Sequence, residues 1–163
     1  MALEIERRFL IKNDHWKEFI TNKTSIEQGY LSYNLEDWII RIRFNGMDFK
    51  IALKKHIQNF TNYEYEFPIP NSEGEKIMAT LTNKIKKERF FLEVDNKNWI
   101  VDCFKDKNFP LEIAEIEVNS EKEEVILPPF VSREITGLKI FTNLSLTKHP
   151  FSKWQNKDFK KFK

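Results

Sequence analysis

Charged residues of one sign recur two positions apart along this chain: Glu4 and Glu6, Arg41 and Arg43, Glu64 and Glu66, Lys87 and Arg89, Glu115 and Glu117. Side chains at i and i+2 of a β-strand leave the same face. Each pair would therefore hold two like charges side by side. Neighbouring like charges destabilise a sheet unless something of opposite sign lies between them. Carboxylate pairs suit a hard divalent cation such as Mg²⁺ or Mn²⁺, which prefers oxygen ligands. Arginine and lysine pairs suit phosphate oxygens, and the guanidinium fork adds bidentate geometry. Both sets in one enclosure would make a site for a metal and a polyphosphate.

That chemistry requires strands to carry the pairs. Strand candidates run over 3–11, 25–33, 37–44, 48–56, 63–69, 85–95, 99–104 and 112–119. Within them apolar and charged residues alternate. Leu3, Ile5 and Phe9 oppose Glu4, Glu6 and Arg8, and Ile40, Ile42 and Phe44 oppose Arg41 and Arg43. Phe49, Ile51 and Leu53 oppose Lys50 and Lys54, Tyr63, Tyr65 and Phe67 oppose Glu64 and Glu66, and Phe90 and Leu92 oppose Lys87 and Arg89. Ala114, Ile116 and Val118 oppose Glu115 and Glu117. Alternation alone favours an antiparallel sheet with one solvated face. The segregation of sign strand by strand shifts the reading to an enclosed interior filled by ligands.

Asn45-Gly46 predicts a hairpin turn, because that pair accepts φ > 0, and residues 95–98 predict a second. Asp14 is placed to cap a short helix carrying Trp16, Phe19 and Ile20. Ser72 with Glu75 and Ser120 with Glu123 both read as capping boxes, the second stopped by Pro128-Pro129. Residues 141–147 read as a further helical turn. Eight antiparallel strands with few helices predict an α+β, mainly β fold, a closed barrel or a sandwich.

Composition sets the outer limits. The chain has 163 residues, 27 basic and 25 acidic, so its formal net charge is +2. Near-neutral charge argues against a dedicated nucleic-acid binder. Gly and Pro together contribute ten residues (4 and 6), too few for a collagen-like or linker-dominated chain. The apolar runs fall far short of the roughly 20 residues of a transmembrane helix. Residues 1–25 carry acids and bases throughout, so no signal peptide is read there. A single cysteine, Cys103, points to a reducing, cytoplasmic setting. Fifteen Phe, 4 Trp and 4 Tyr favour β structure. One domain is expected over 1–150, followed by a basic aromatic tail over 151–163 that frays or docks loosely.

The segment Leu3-Glu4-Ile5-Glu6-Arg7-Arg8-Phe9-Leu10 resembles the N-terminal E-x-E-x-K signature of the CYTH family, the triphosphate tunnel metalloenzymes. Further similarities follow in family order: Gln28-Gly29-Tyr30-Leu31, Arg41-Ile42-Arg43, Leu53-Lys54, Glu64-Tyr65-Glu66, Lys87 with Arg89, Asp102, and Ala114-Glu115-Ile116-Glu117. Ile135-Thr136-Gly137 and Lys139 resemble the C-terminal element. The likeness is to short bacterial members, and it implies an eight-stranded antiparallel β-barrel with a few short helices outside.

The resemblance also implies the chemistry. Glu4, Glu6, Glu115 and Glu117 would bind one or two divalent metals, Mg²⁺ or Mn²⁺, assisted by Asp102. Arg8, Arg41, Arg43, Lys54, Lys87, Arg89 and Lys139 would grip the triphosphate. Arg8 and Tyr30 would serve catalysis, and Glu64 and Glu66 would support the basic side chains. A metal-activated water would attack a terminal phosphorus of a small-molecule triphosphate, most simply inorganic tripolyphosphate. A class IV-type adenylate cyclase, a thiamine triphosphatase and a non-catalytic polyphosphate or nucleotide binder are the alternatives. Exposed strand edges leave room for a homodimer.

Two departures stand out. Arg8 replaces the signature lysine, and Arg does not give up its proton in a protein. Ile140 follows Lys139 where many relatives place a second basic residue. His15, His56 and His149 show no metal-ligand spacing and read as surface or packing residues.

Overall fold

The computed structural model describes residues 3–32 and 37–160. Nine strands occupy Leu3–Ile11 (β1), Ile20–Ser32 (β2), Ile39–Phe44 (β3), Phe49–Gln58 (β4), Thr61–Ile69 (β5), Lys84–Val94 (β6), Lys97–Phe104 (β7), Glu112–Glu117 (β8) and Val131–Glu134 (β9). The first eight form one antiparallel ring in the order β1-β5-β4-β3-β2-β6-β7-β8, closed by β8 pairing back onto β1. The expected eight-stranded barrel is therefore present, with β9 as an addition. β5 pairs with β1 only over Leu3–Ile5, and β9 pairs with β1 near Phe9 and Ile11. Tyr33 was expected to extend the second strand; it lies outside the described residues, as do Lys161, Phe162 and Lys163 of the tail.

Local chemistry sets the turns. Asn45 Oδ1 accepts the backbone N–H groups of Met47 and Asp48, and Gly46 takes φ +90°, which joins β3 to β4. Asp95 and Asn96 both take positive φ, 50° and 59°, and form the two-residue link between β6 and β7. Asp and Asn tolerate that region better than most side chains.

The barrel is insulated by apolar packing outside its wall. Phe9, Leu92, Trp99, Val101, Ala114 and Ile116 meet Trp16 of the 3₁₀ turn Asp14–Phe19 and Phe130. Ile42 and Phe49 meet Met78 of helix α1, Asn71–Thr80. That helix lies close to the wall because Gly74 has no side chain. A Cβ there would stand 2.2 Å from the Phe49 ring. A third cluster lies on the inward face, beyond Lys87, and joins Ile85, Phe104 and Ile113 to Phe141, Leu146 and Trp154 of the C-terminal segment.

That segment contains α2, Asn143–Lys148, and α3, Asn156–Lys160. Trp154 and Asp158 are buried, so a tail expected to fray or dock loosely is packed at these two positions. The capping boxes fared differently from expectation. The helix near Ser72 starts earlier, after Pro70, with no side-chain cap. No helix forms after Ser120; the Glu123 carboxylate accepts the Asn119 backbone and amide N–H groups and holds a turn instead. The first 3₁₀ turn is capped by Asn13, not Asp14. No helix among the described residues is long and apolar enough to cross a membrane.

Candidate active site

The in–out alternation of eight strands directs the charged faces into one cavity of about 440 Å³. Its walls carry the carboxylates Glu4, Glu6, Glu64, Glu66, Glu115 and Glu117 and the cations Arg41, Arg43, Lys54 and Arg89. Register puts Glu6 directly across from Glu117 and Arg8 across from Glu115. The acids of β1 and β8 thus form one acidic quarter of the wall. β3 and β4 supply the basic quarter facing β5.

Charge balance is uneven around this wall. Arg41 Nη2 reaches Glu64 at 2.8 Å and Glu66 at 3.3 Å. Lys54 pairs with Glu4 and lies 3.6 Å from Glu64. Burial resists ionisation of Glu64, but Arg41 and Lys54 outweigh it and pull its carboxyl down to about 2. Glu4 goes the other way. Burial and the nearby Glu6 push it up to about 8, against the pull of Lys54. Arg43 is the mirror case. It lies 3.7 Å from Glu66, and burial with repulsion from Arg41 and Arg89 pulls it down to about 10.

The groups that lack partners are the informative ones. Nε of Arg41, Nε of Arg43 and Nη2 of Arg8 are buried without a hydrogen bond. Buried donors without acceptors cost free energy, and those of Arg41 and Arg43, on the basic wall of the cavity, fit an anion rich in oxygen. Among the described residues no three His, Cys, Asp or Glu are drawn together tightly enough to hold a metal as they stand. Yet Glu4, Glu6 and Glu117 border the cavity, with Lys54 beside Glu4 and Arg8 3.9 Å from Glu6 as the nearby cations. Their all-oxygen donor set fits a hard divalent cation.

A sealed layer lies deeper along the same inward face. Asp102 accepts from Lys87, and from Arg89 Nε and Nη2 at 2.8 Å each. Burial opposes its ionisation, but Arg89 and Lys87 hold its carboxyl far below the usual range. Burial pulls the Lys87 ammonium down to about 8, with Asp102 working against that. Arg89 Nη2 also reaches Glu115 at 3.2 Å, and Arg8 Nε reaches it at 3.0 Å. Arg8 Nη1 donates to the Phe141 carbonyl at 3.1 Å. Burial opposes charge on Arg8, and Glu115 and Glu6 outweigh it, so its guanidinium stays cationic.

The expected site residues thus separate into two groups. Glu4, Glu6, Arg41, Arg43, Lys54, Glu64, Glu66, Arg89, Glu115 and Glu117 share the cavity. Asp102, expected as a metal ligand, is fully buried, and both its oxygens are occupied by cations. Lys87 is sealed beside it. Tyr30 is also buried, and its hydroxyl accepts from Gln28 Nε2 at 2.9 Å. Burial pushes its phenol up, against Arg41 and Gln28. Lys139 is exposed on the 3₁₀ turn Lys139–Phe141, away from the cavity lining. The role of Gln28 as partner of Tyr30 could have been read from their i, i+2 spacing. Asn143 also lines the cavity, and no sequence signal pointed to it.

No family model matches the chain. It is 31% identical over 158 residues to an inorganic triphosphatase of Acetivibrio thermocellus, covering 95% of this chain and 99% of that one. Its structure is similar to that of the inorganic triphosphatase NE1496, with a TM-score of 0.67 and 26% identity over 90% of this chain and 95% of that one. It shares its fold with the Hippeastrum protein HpAC1, which has a dominant triphosphatase activity, at a TM-score of 0.55 and 13% identity over 74% of this chain and 80% of that one.

Proposed function

The chain belongs to the inorganic triphosphatases of the CYTH, or triphosphate tunnel, family, and on that premise we propose that it hydrolyses a short inorganic triphosphate with a divalent metal, Mg²⁺ or Mn²⁺, in the cytoplasm. The observation that carries the reading is the meeting of two sets of groups in one cavity: the clustered carboxylates Glu4, Glu6 and Glu117, and the arginines Arg41 and Arg43, whose buried Nε atoms have no partner. A metal and a polyanion bound together would relieve both.

Glu4, Glu6 and Glu117 would hold the metal, with Glu115 behind them. Bound there, the metal supplies Lewis-acid polarisation of a phosphoryl oxygen and a nucleophile at neutral pH. Arg41, Arg43, Lys54 and Arg89 would bind the phosphate oxygens and stabilise charge developing on them. Glu64 and Glu66 orient Arg41, and Glu66 also lies near Arg43. Asp102 and Lys87 fix the plane of Arg89 from the deeper layer, so their contribution is indirect. Arg8 braces Glu115 from a buried position beside the cavity lining. With its phenol pushed up, Tyr30 keeps its proton near neutral pH and acts as a hydrogen-bonding group, not as a base.

A phosphate-release screen on tripolyphosphate, ATP, thiamine triphosphate and pyrophosphate, with a cyclic-AMP assay beside it, tests the assignment. Tripolyphosphate should be the preferred substrate. Cyclic AMP from ATP, or binding of tripolyphosphate with no release under either metal, would replace the reading with a cyclase or a binding module.

A further inference from the structure

The cavity is shut at one end. Along β6 the inward side chains run Phe91, Arg89, Lys87 and Ile85, and the last two are only 2% and 3% exposed. Phe104 and Ile113 on the neighbouring strands are buried with Ile85, and Gln28 and Tyr30 on β2 are buried at the same end. The C-terminal segment closes over them. Phe141, Leu146 and Trp154 pack on Ile85, Phe104 and Ile113, and the Phe141 carbonyl takes Nη1 of Arg8.

Asn143 is the member of that segment that reaches the cavity wall. Its Oδ1 is enclosed without a hydrogen bond, close in sequence to the carbonyl that holds Arg8. An amide offers one acceptor and one donor group side by side. A terminal phosphoryl group matches that set best on the acid side of neutrality, because it has three unshared oxygens and one of them carries a proton below about pH 6. An internal phosphoryl unit has two unshared oxygens and no such proton.

We infer that Asn143 is a specificity-determining residue: its amide receives the terminal phosphoryl group at the shut end of the cavity and so selects short linear triphosphates over longer polyphosphate chains. This rests on the polyphosphate-hydrolase reading above. A chain that enters such a cavity cannot pass through it, so with its terminal group at Asn143 each unit beyond the third extends toward the open mouth.

The test compares kcat and KM for tripolyphosphate and tetrapolyphosphate in the native protein, Asn143→Ala and Asn143→Asp, with calorimetric binding of tripolyphosphate to each. Loss of a hydrogen bond to a charged phosphate should raise KM and Kd for tripolyphosphate about tenfold or more in Asn143→Ala, with kcat little changed. Asn143→Asp keeps the size of the side chain but adds repulsion, so it should bind more weakly still while melting like the native protein. The preference for tripolyphosphate over tetrapolyphosphate should shrink in both. Variants that keep the native preference, whatever their overall activity, would overturn the role of Asn143 alone. A native protein that neither binds nor hydrolyses tripolyphosphate would overturn the functional reading and the inference together.

Discussion

Arg8 carries five donors on one rigid fork, and three kinds of neighbour use them: Glu115 at 3.0 Å, Glu6 at 3.9 Å and the Phe141 carbonyl at 3.1 Å. A lysine keeps the charge but cannot reach all three at once. Arg8→Lys should therefore change kcat on tripolyphosphate less than about tenfold, since proton transfer is not asked of this position; a much larger rise would show that a titrating lysine matters. Arg8→Ala leaves Glu115 buried with one cation fewer and should cost roughly 3–5 kcal/mol, read as a lower denaturant midpoint. Asp102→Asn should cost a similar amount, about 3–5 kcal/mol, because it leaves the buried Lys87 without its carboxylate and removes one of the two carboxylates that hold Arg89. An Asp102→Asn protein as stable as the native one would contradict the positioning role. Residue types and spacing made the charged face legible in the sequence. Depth was not legible: Asp102 and Glu115 share the charged face pattern, yet one is sealed and the other borders the cavity. Only the register against Arg89 and Arg8 separates them.

Strands were easier to read than helices. Period-2 alternation survives along β1, β3 and β5 because each has one insulated and one charged face. β9 has four residues, Val131–Glu134, too few for any alternation to register. The Ser120 box failed because Glu123 found Asn119 as its partner and Pro128-Pro129 followed soon after. Helix α1 makes a sharper test of element packing. At Gly74 a new Cβ would meet the Phe49 ring and Cβ at 2.2–2.6 Å, and the ring is itself buried. Gly74→Ala should destabilise by about 1–3 kcal/mol through forced displacement of the helix. At Gly29 the close atom is the flexible end of Leu81, Cδ1 at 2.6 Å. Gly29→Ala should cost less than about 1 kcal/mol, since a strand gains from losing glycine. Equal costs in thermal melts would mean that α1 is not held against Phe49.

For the whole molecule, the barrel is a compromise between stability and charge. Its interior spends ion pairs to hold a cavity that a hydrophobic core would fill, and buried pairs of that kind contribute little net stability. The depressed carboxyls of Asp102, Glu64 and Glu115 stabilise the fold above the ordinary carboxylate range and lose that contribution as pH falls through their folded values. Stability should therefore drop steeply on acidification below about pH 4, and less steeply in Asp102→Asn. The sequence carried the barrel and its charged lining because both follow from strand alternation. It could not carry the shut end, which depends on Phe141, Leu146 and Trp154 docking from a segment without periodic pattern. The most direct test of the account is phosphate release from tripolyphosphate by the chelator-treated protein, before and after Mg²⁺ or Mn²⁺ is returned, in the native chain and in Glu4→Gln and Glu117→Gln. The account predicts no release without metal, recovery with it in the native chain, and recovery only at much higher metal concentration in the two variants. Undiminished release from the metal-free native protein, or variants that recover at the native metal concentration, would contradict it.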